Sequence, residues 1–340
     1  MTLNHDSDYR GGPDSPEAAK PPLLVLVGPT AVGKTALSLQ VAKAFGCEII
    51  SGDSMQVYRG MDIGTAKLPP EEREGIPHHL IDIRDPEEPF SAADFQAECA
   101  KAIREIHGRG RTPFIVGGTG LYVESVCYDY RFQDHGSDEA FRERMQVIAA
   151  ERGPQALHER LAAVDAASAA KLHPNDTRRV IRALEIYETT GRPFSELQVQ
   201  ARGDEKTSPY ELVLIGLTMD RARLYERIEE RVDQMLAEGL VEEVSGLLAA
   251  GVPSGAVAMQ ALGYKEVAGY LTGRFDYERA VELLKRDTRH FAKRQLSWFR
   301  HMQDLQWIDV GAHPKNSELF KEICAIIAGK FPYDIEYICS

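Results

Sequence analysis

Gly28-Pro29-Thr30-Ala31-Val32-Gly33-Lys34-Thr35 is the stretch whose reading decides the fold. It matches the phosphate-cradling pattern G-x-x-x-x-G-K-[ST] at every fixed position. The flanks supply the context that pattern requires. Before it, residues 23–27 are an unbroken apolar run, as in a parallel strand buried on both faces. After it, Ala36, Leu37, Leu39, Val41 and Ala42 are spaced as a helix. A strand, a glycine loop and a helix N-terminus make an anion site, because backbone N–H groups converge there and the helix dipole adds partial positive charge. Gly28, Pro29, Thr30, Ala31, Val32, Gly33, Lys34 and Thr35 are therefore expected to hold a diphosphate or the phosphates of a nucleotide. Lys34 should reach the terminal phosphates, and the Thr35 hydroxyl is placed for Mg²⁺.

Outward from the loop, short apolar runs recur at α/β spacing: residues 48–51, 79–83, 113–116, 212–217 and 305–308, with helical patterns such as 92–106 between them. The expected fold is α/β, a P-loop NTPase-like parallel sheet flanked by helices. In such sheets ligands sit at the carboxyl ends of strands, so the polar tips Asp53, Asp82 and Thr119 join the loop as site candidates. From about 127 to 206 strand signals vanish and helices are expected over 139–152, 154–164 and 177–190, the last with Asp176 as N-cap. The reading is a helical domain (127–206) inserted into a catalytic core (21–126 and 207–340), after a disordered polar tail (1–20). Beyond Asp220 one long helix is expected to run to about Leu248.

Composition bounds the class. The chain of 340 residues carries a formal charge of −12, which argues against nonspecific nucleic-acid binding. Yet Lys285, Arg286, Arg289, Lys293, Arg294 and Arg300 face only Asp287, a local +5 on an acidic body, compatible with one oriented polyanion surface. No apolar segment is long enough for a transmembrane helix, and the first residues lack the apolar core of a secretory signal. Five scattered cysteines without a C-x-x-C pair suggest reduced thiols. His78, His79 and His173 lack metal-ligand spacing.

Three features narrow the chemistry. Asp53, in Ser51-Gly52-Asp53-Ser54-Met55-Gln56, is a carboxylate at a strand end beside a bound diphosphate; it could hold Mg²⁺, act as general base or cap a following helix. Gln56 is a bidentate amide suited to base edges. Gly117-Gly118-Thr119-Gly120 allows close backbone approach and offers a hydroxyl at Thr119, or is simply a tight strand-to-helix turn. Arg223, Arg227 and Arg231 stack on one helix face, either compensated by Glu226 and Glu230 or turned toward a bound anion.

These motifs in order, with Asp62–Lys67, Pro77–Asp82, His173–Asp176, Arg178-Arg179, Arg182–Glu185, Met259-Gln260-Ala261-Leu262-Gly263-Tyr264 and Lys293-Arg294-Gln295 with Trp298, resemble the tRNA dimethylallyltransferase family of the bacterial type over nearly the whole chain after residue 20. The resemblance implies that the loop holds dimethylallyl diphosphate and that the allyl group moves to N6 of tRNA adenosine 37. Asp53 would be the general base, Thr119 a contact at the reacting centre, and Lys34, Arg227 and Mg²⁺ near Thr35 the stabilisers of the leaving diphosphate. It implies tRNA contacts at Asp53, Ser54, Met55, Gln56, Thr119, Arg178, Arg179, Arg182, Met259, Gln260, Gly263, Tyr264, Lys293, Arg294, Gln295, Trp298 and Arg300. It also implies a flipped base, a cytoplasmic location and a monomer. The other readings are a P-loop kinase or isopentenyltransferase using a free adenine nucleotide, and a non-catalytic RNA-binding ATPase.

Overall fold

A computed structural model describes residues 20–132, 136, 138–202, 207–313 and 315–331. The expected tail, most of the 203–209 linker and Cys339 lie outside them. The first strand, β1 (Pro22–Val27), is central because nearly every side chain on it is apolar and both faces are covered. The chain then runs through α1 (Lys34–Phe45), β2 (Cys47–Gly52), β3 (His78–His79), α2 (Ala92–Gly108), β4 (Thr112–Gly117) and α3 (Gly120–Cys127). Five helices follow: α4 (Glu139–Arg152), α5 (Pro154–Val164), α6 (Ala166–Lys171), α7 (Thr177–Thr190) and α8 (Phe194–Arg202). The sheet resumes with β5 (Glu211–Thr218), then α9 (Arg221–Ala237), α10 (Leu240–Ala249), α11 (Tyr264–Leu271), α12 (Tyr277–Phe299), β6 (Gln306–Asp309) and α13 (Asn316–Ala328).

All six strands are parallel, in the order β3-β2-β4-β1-β5-β6. The two-residue side-chain period sorts the core into two layers. Leu23, Val25 and Val27 join Ile50 and Ile115 on one face; Leu24 and Leu26 join Ile49, Phe114 and Ile215 on the other. Each fully buried side chain of this kind contributes roughly 1.5–3 kcal/mol. The register aligns Gly52 with Gly117 and Val27 with Gly117, so β2, β4 and β1 end level. That alignment sets the 53–56 turn, the 118–120 turn and the 28–35 loop side by side.

Helices α4–α8 enclose an apolar cluster of their own, built on Phe141, Leu157, Leu161, Val180 and Leu184. Asp165 ties it together: it accepts from Ser168 N (2.9 Å) and Oγ (2.6 Å) and from Ser195 N (2.9 Å) and Oγ (2.7 Å). Burial pushes its carboxyl up, but these donors outweigh burial and hold it below the usual range.

Three local expectations change. The strand expected over 79–83 stops at His79: Leu80 and Asp82 take left-handed backbone angles (φ 63 and 57), and the chain bonds the 56–57 loop instead, Asp82 N to Gln56 O and Ile83 N to Val57 O. The single helix expected from Asp220 to Leu248 is two, α9 and α10, broken at Gly239 (φ 104), where glycine alone adopts the left-handed turn freely. Asp176 stands at the N-cap of α7, but its side chain caps no amide and lies 3.5 Å from Arg179 instead.

Candidate active site

The level strand tips open into a cavity of about 570 Å³. Its walls come from the P-loop and start of α1, the 53–56 turn, the 64–68 loop, α9, residues 260–265 and α12. The chain bends into the loop where it must. Gly28 (φ 156) lies so close to β5 that a β-carbon there would stand 2.8 Å from Leu217 O, and Gly33 (φ 107) precedes the first turn of α1. That first turn carries no acidic residue, so its free amides and dipole act unopposed on an anion.

Lys34 folds back over the loop, donating to Gly28 O (2.9 Å) and Pro29 O (2.8 Å). Burial, with the nearby Arg231 guanidinium, lowers it to about 7, and Asp53 works in the opposite direction. Arg227 leans over the same loop: a β-carbon on Gly33 would stand 3.8 Å from its Nη2. Arg231, one helical turn on, also lines the cavity, where burial lowers its pKa and Asp53 counteracts. Arg231 was one of three stacked arginines in the sequence; which of them faces the site depends on how α9 is rotated. The phase of the buried Leu224, Ile228 and Val232 does not separate them, since Arg223, Arg227 and Arg231 each precede one of those three.

Asp53 is the one carboxylate among the cavity-lining residues, which also include Lys34, Arg227, Arg231, Lys265 and Arg294. No helix follows it, so it is no helix cap; one of its oxygens accepts from Met55 N (2.8 Å), leaving the other for chemistry. Thr119 heads α3 and its Oγ1 accepts from Ser54 N (3.0 Å), which leaves the hydroxyl proton available to donate. The Thr35 side chain is exposed on the cavity wall beside Lys34. The glycines of the 117–120 turn are there for contact: a β-carbon on Gly118 would stand 2.2 Å from Gln295 Nε2, and one on Gly120 2.2 Å from Trp298 Cδ1.

The IPP transferase family model matches residues 56–302. The chain belongs to the IPP transferase family. The tRNA dimethylallyltransferase of Geobacillus thermodenitrificans is 54% identical over 91% of this chain and 96% of the relative. That of Symbiobacterium thermophilum is 55% identical over 92% and 97%. The solved full-length tRNA isopentenylpyrophosphate transferase of Bacillus halodurans is 48% identical, with a TM-score of 0.69 over 94% of this chain and 98% of that one. A eukaryotic dimethylallyltransferase solved acting on tRNA is 32% identical, with a TM-score of 0.73 over 92% and 80%.

Against that family background, the residues expected to touch tRNA divide in two. Ser54, Met55, Gln260 and Arg294 line the cavity, and Arg178, Arg179, Lys293 and Arg300 are exposed. Others are committed inside the protein. Met259 and Tyr264 are fully buried, and Tyr264 Oη donates to Glu243 at 2.5 Å, so neither side chain meets a macromolecule as packed here. Gly263 is the turn before α11, its amide held by Glu266 (2.9 Å). Gln295 is buried, accepting from Thr30 N (2.9 Å) and donating to Gly118 O (3.0 Å); it braces the P-loop against the 118 turn. Gln56 spends its amide on Ser51 Oγ (2.7 Å) and Thr65 O (3.2 Å), not on a base edge. Trp298 donates to Glu124 (3.1 Å), and Arg182 to Glu185 (2.7 Å) and Gly136 O (3.0 Å).

The basic segment is likewise half neutralised. Lys285 pairs with Asp233 and Arg289 with Glu229, both at 2.6 Å, and Arg286 with Asp287 at 2.8 Å. Among the described residues Lys293, Arg294 and Arg300 have no carboxylate partner. His78 bonds Ile76 O, His79 bonds Glu48 and His173 takes Asn175 N, and among the described residues no group of three or more His, Cys, Asp and Glu forms a metal cage. No helix of the described residues is long and apolar enough to cross a membrane. Cys47, Cys99, Cys127 and Cys324 are buried, and none of them is in a disulfide.

Proposed function

We propose that the protein transfers the dimethylallyl group of dimethylallyl diphosphate to N6 of adenosine 37 of tRNA, releasing diphosphate. The observation that carries this reading is the single cavity wall on which a P-loop with Lys34, Arg227 and Arg231 meets the lone carboxylate Asp53. An exocyclic adenine amine is a poor nucleophile, because its lone pair is delocalised into the ring. Asp53 takes one N6 hydrogen as N6 bonds to the allylic C1 and the C1–O bond breaks. Charge then builds on the departing diphosphate, where the loop amides, Lys34, Arg227 and Arg231 receive it. Thr119 donates its free proton near the reacting centre. Mg²⁺ fits the donors present, since it keeps several waters and needs only the Thr35 hydroxyl with diphosphate oxygens; when bound it adds Lewis-acid help to the leaving group.

Free cations Lys293, Arg294 and Arg300, with Arg178 and Arg179 on α7, form the tRNA surface in this reading, and the 127–206 segment is a helical tRNA-binding domain inserted in the core. The base leaves its stack to reach the cavity. In this reading the protein acts in the cytoplasm as a monomer. The test offers labelled dimethylallyl diphosphate to tRNA, AMP and ATP. Label in tRNA alone is expected; label in a free nucleotide overturns the acceptor. Asp53→Ala should cut transfer by orders of magnitude and leave tRNA affinity within about tenfold.

A further inference from the structure

Glu243 lies on α10, outside the cavity wall, yet it is the most heavily used carboxylate near it. Its Oε2 accepts from Asp62 N (2.9 Å) and Ile63 N (2.8 Å), and its Oε1 from Gly64 N (3.3 Å) and from Tyr264 Oη (2.5 Å). Three consecutive amides and a phenol therefore converge on one side chain. Gly64 is held so tightly under Tyr264 that a β-carbon there would stand 2.4 Å from Cε2. Burial and the Glu243 carboxylate both push the Tyr264 phenol far above its ordinary range, so it stays a donor.

The loop that Glu243 grips continues to the catalytic turn. Thr65 O accepts from Gln56 Nε2 (3.2 Å), with Ala66 O further off at 3.5 Å. The other end of that amide, Oε1, accepts from Ser51 Oγ (2.7 Å), and Ser51 Oγ accepts in turn from Asp53 N (3.4 Å). An unbroken path of hydrogen bonds thus runs from α10 through the 62–66 loop and Gln56 to the amide of Asp53. Lys67 pins the far end of the same loop to Tyr58 O (2.5 Å), Asp62 (2.7 Å) and Asp82 (2.5 Å).

We propose that Glu243 is a positioning residue for the transfer reaction: through the 62–66 loop and Gln56 it fixes the turn that aims the Asp53 carboxylate into the cavity. The proposal rests on the reading of Asp53 as the base. A carboxylate suits the post because all four of its bonds are acceptances; a carboxamide of the same shape offers one acceptor oxygen and turns two donors against donors. A misplacement of about an ångström at a base far from the mutated residue costs on the order of a hundredfold in rate.

The experiment compares wild type, Glu243→Gln, Tyr264→Phe, Gln56→Ala and the Glu243→Gln/Gln56→Ala double variant. It measures kcat and KM for dimethylallyl transfer to tRNA, corrected for folded fraction, and hydrogen exchange at the 54–58 amides without substrate. Expected for Glu243→Gln is a kcat loss of roughly ten- to a hundredfold with both KM values within about twofold, and faster exchange at 54–58. The double variant should lose little more than Glu243→Gln alone, because both substitutions cut one path. Tyr264→Phe, which removes one hydroxyl and keeps the ring packed on Gly64, should show the same pattern more weakly. Additive losses, unchanged exchange at 54–58, or a loss seen in KM or folded fraction instead of kcat overturns the proposal. Wild type that labels no tRNA overturns the function itself, whatever the exchange data show.

Discussion

Raising the pH should loosen the grip of the P-loop on diphosphate through Lys34. In the empty cradle Lys34 sits at about 7, because burial strips its ammonium of water and Arg231 repels it. An arriving diphosphate reverses the balance and favours the ammonium, so the bound state has the higher pKa. A group whose pKa rises on binding contributes fully below its free value and loses that contribution as the pH climbs toward its bound value. At about pH 8.5 only about 3% of empty sites hold a charged Lys34, so affinity should be about 30-fold weaker than at about pH 6. Titration calorimetry with inorganic pyrophosphate reads both the affinity and, from two buffers of unlike ionisation heat, a proton uptake rising toward one at the alkaline end. Lys34→Arg is the reference: its guanidinium stays charged, so the ratio of the two affinities cancels the ligand's own titration. Equal pH slopes for the two proteins, or no proton uptake at the alkaline end, would refute the reasoning.

Gly118→Ala should put a β-carbon 2.2 Å from Gln295 Nε2 and push that side chain away, breaking the bonds to Thr30 N and Gly118 O. The expected cost is about 1–3 kcal/mol in a denaturant melt, with pyrophosphate affinity falling as well; an unchanged affinity would show that Gln295 does not brace the loop. Lys293→Ala should lower tRNA affinity at every sequence and reduce the slope of log affinity against log salt by about one. Lys285→Ala should leave that slope unchanged, because Lys285 is already paired with Asp233 at 2.6 Å; a fall in slope for Lys285→Ala would refute the division of the basic segment into spent and free charges. Cys99 and Cys127, whose thiols burial pushes far above their ordinary range, should resist alkylation at about pH 8 in native protein and react on unfolding, as mass spectrometry would show.

Sequence alone determined the features that depend on local chemistry. A run of five apolar residues before G-x-x-x-x-G-K-[ST] can be little but a buried strand entering a phosphate loop, and the helices at 139–152, 154–164 and 177–190 follow from local periodicity with the bounds the structure has. The same holds for Lys34, Asp53 and Thr119, each a chemically committed residue at a strand tip. Tertiary structure decided what those tips face. Strand order puts β4 between β2 and β1, and that order brings Asp53 and Lys34 to one cavity, with Thr119 bonded to the Ser54 amide of the 53–56 turn, from positions scattered along the chain. The rotation of α9 brought in Arg231, and the break at Gly239 turned α10 so that Glu243 could reach the 62–64 amides. Packing also gave Gln56, Tyr264 and Gln295 hydrogen-bond partners inside the protein that their residue types alone do not name. A residue type announces which bonds it can make, but its partner is whatever the fold brings within about 3.5 Å at a favourable angle.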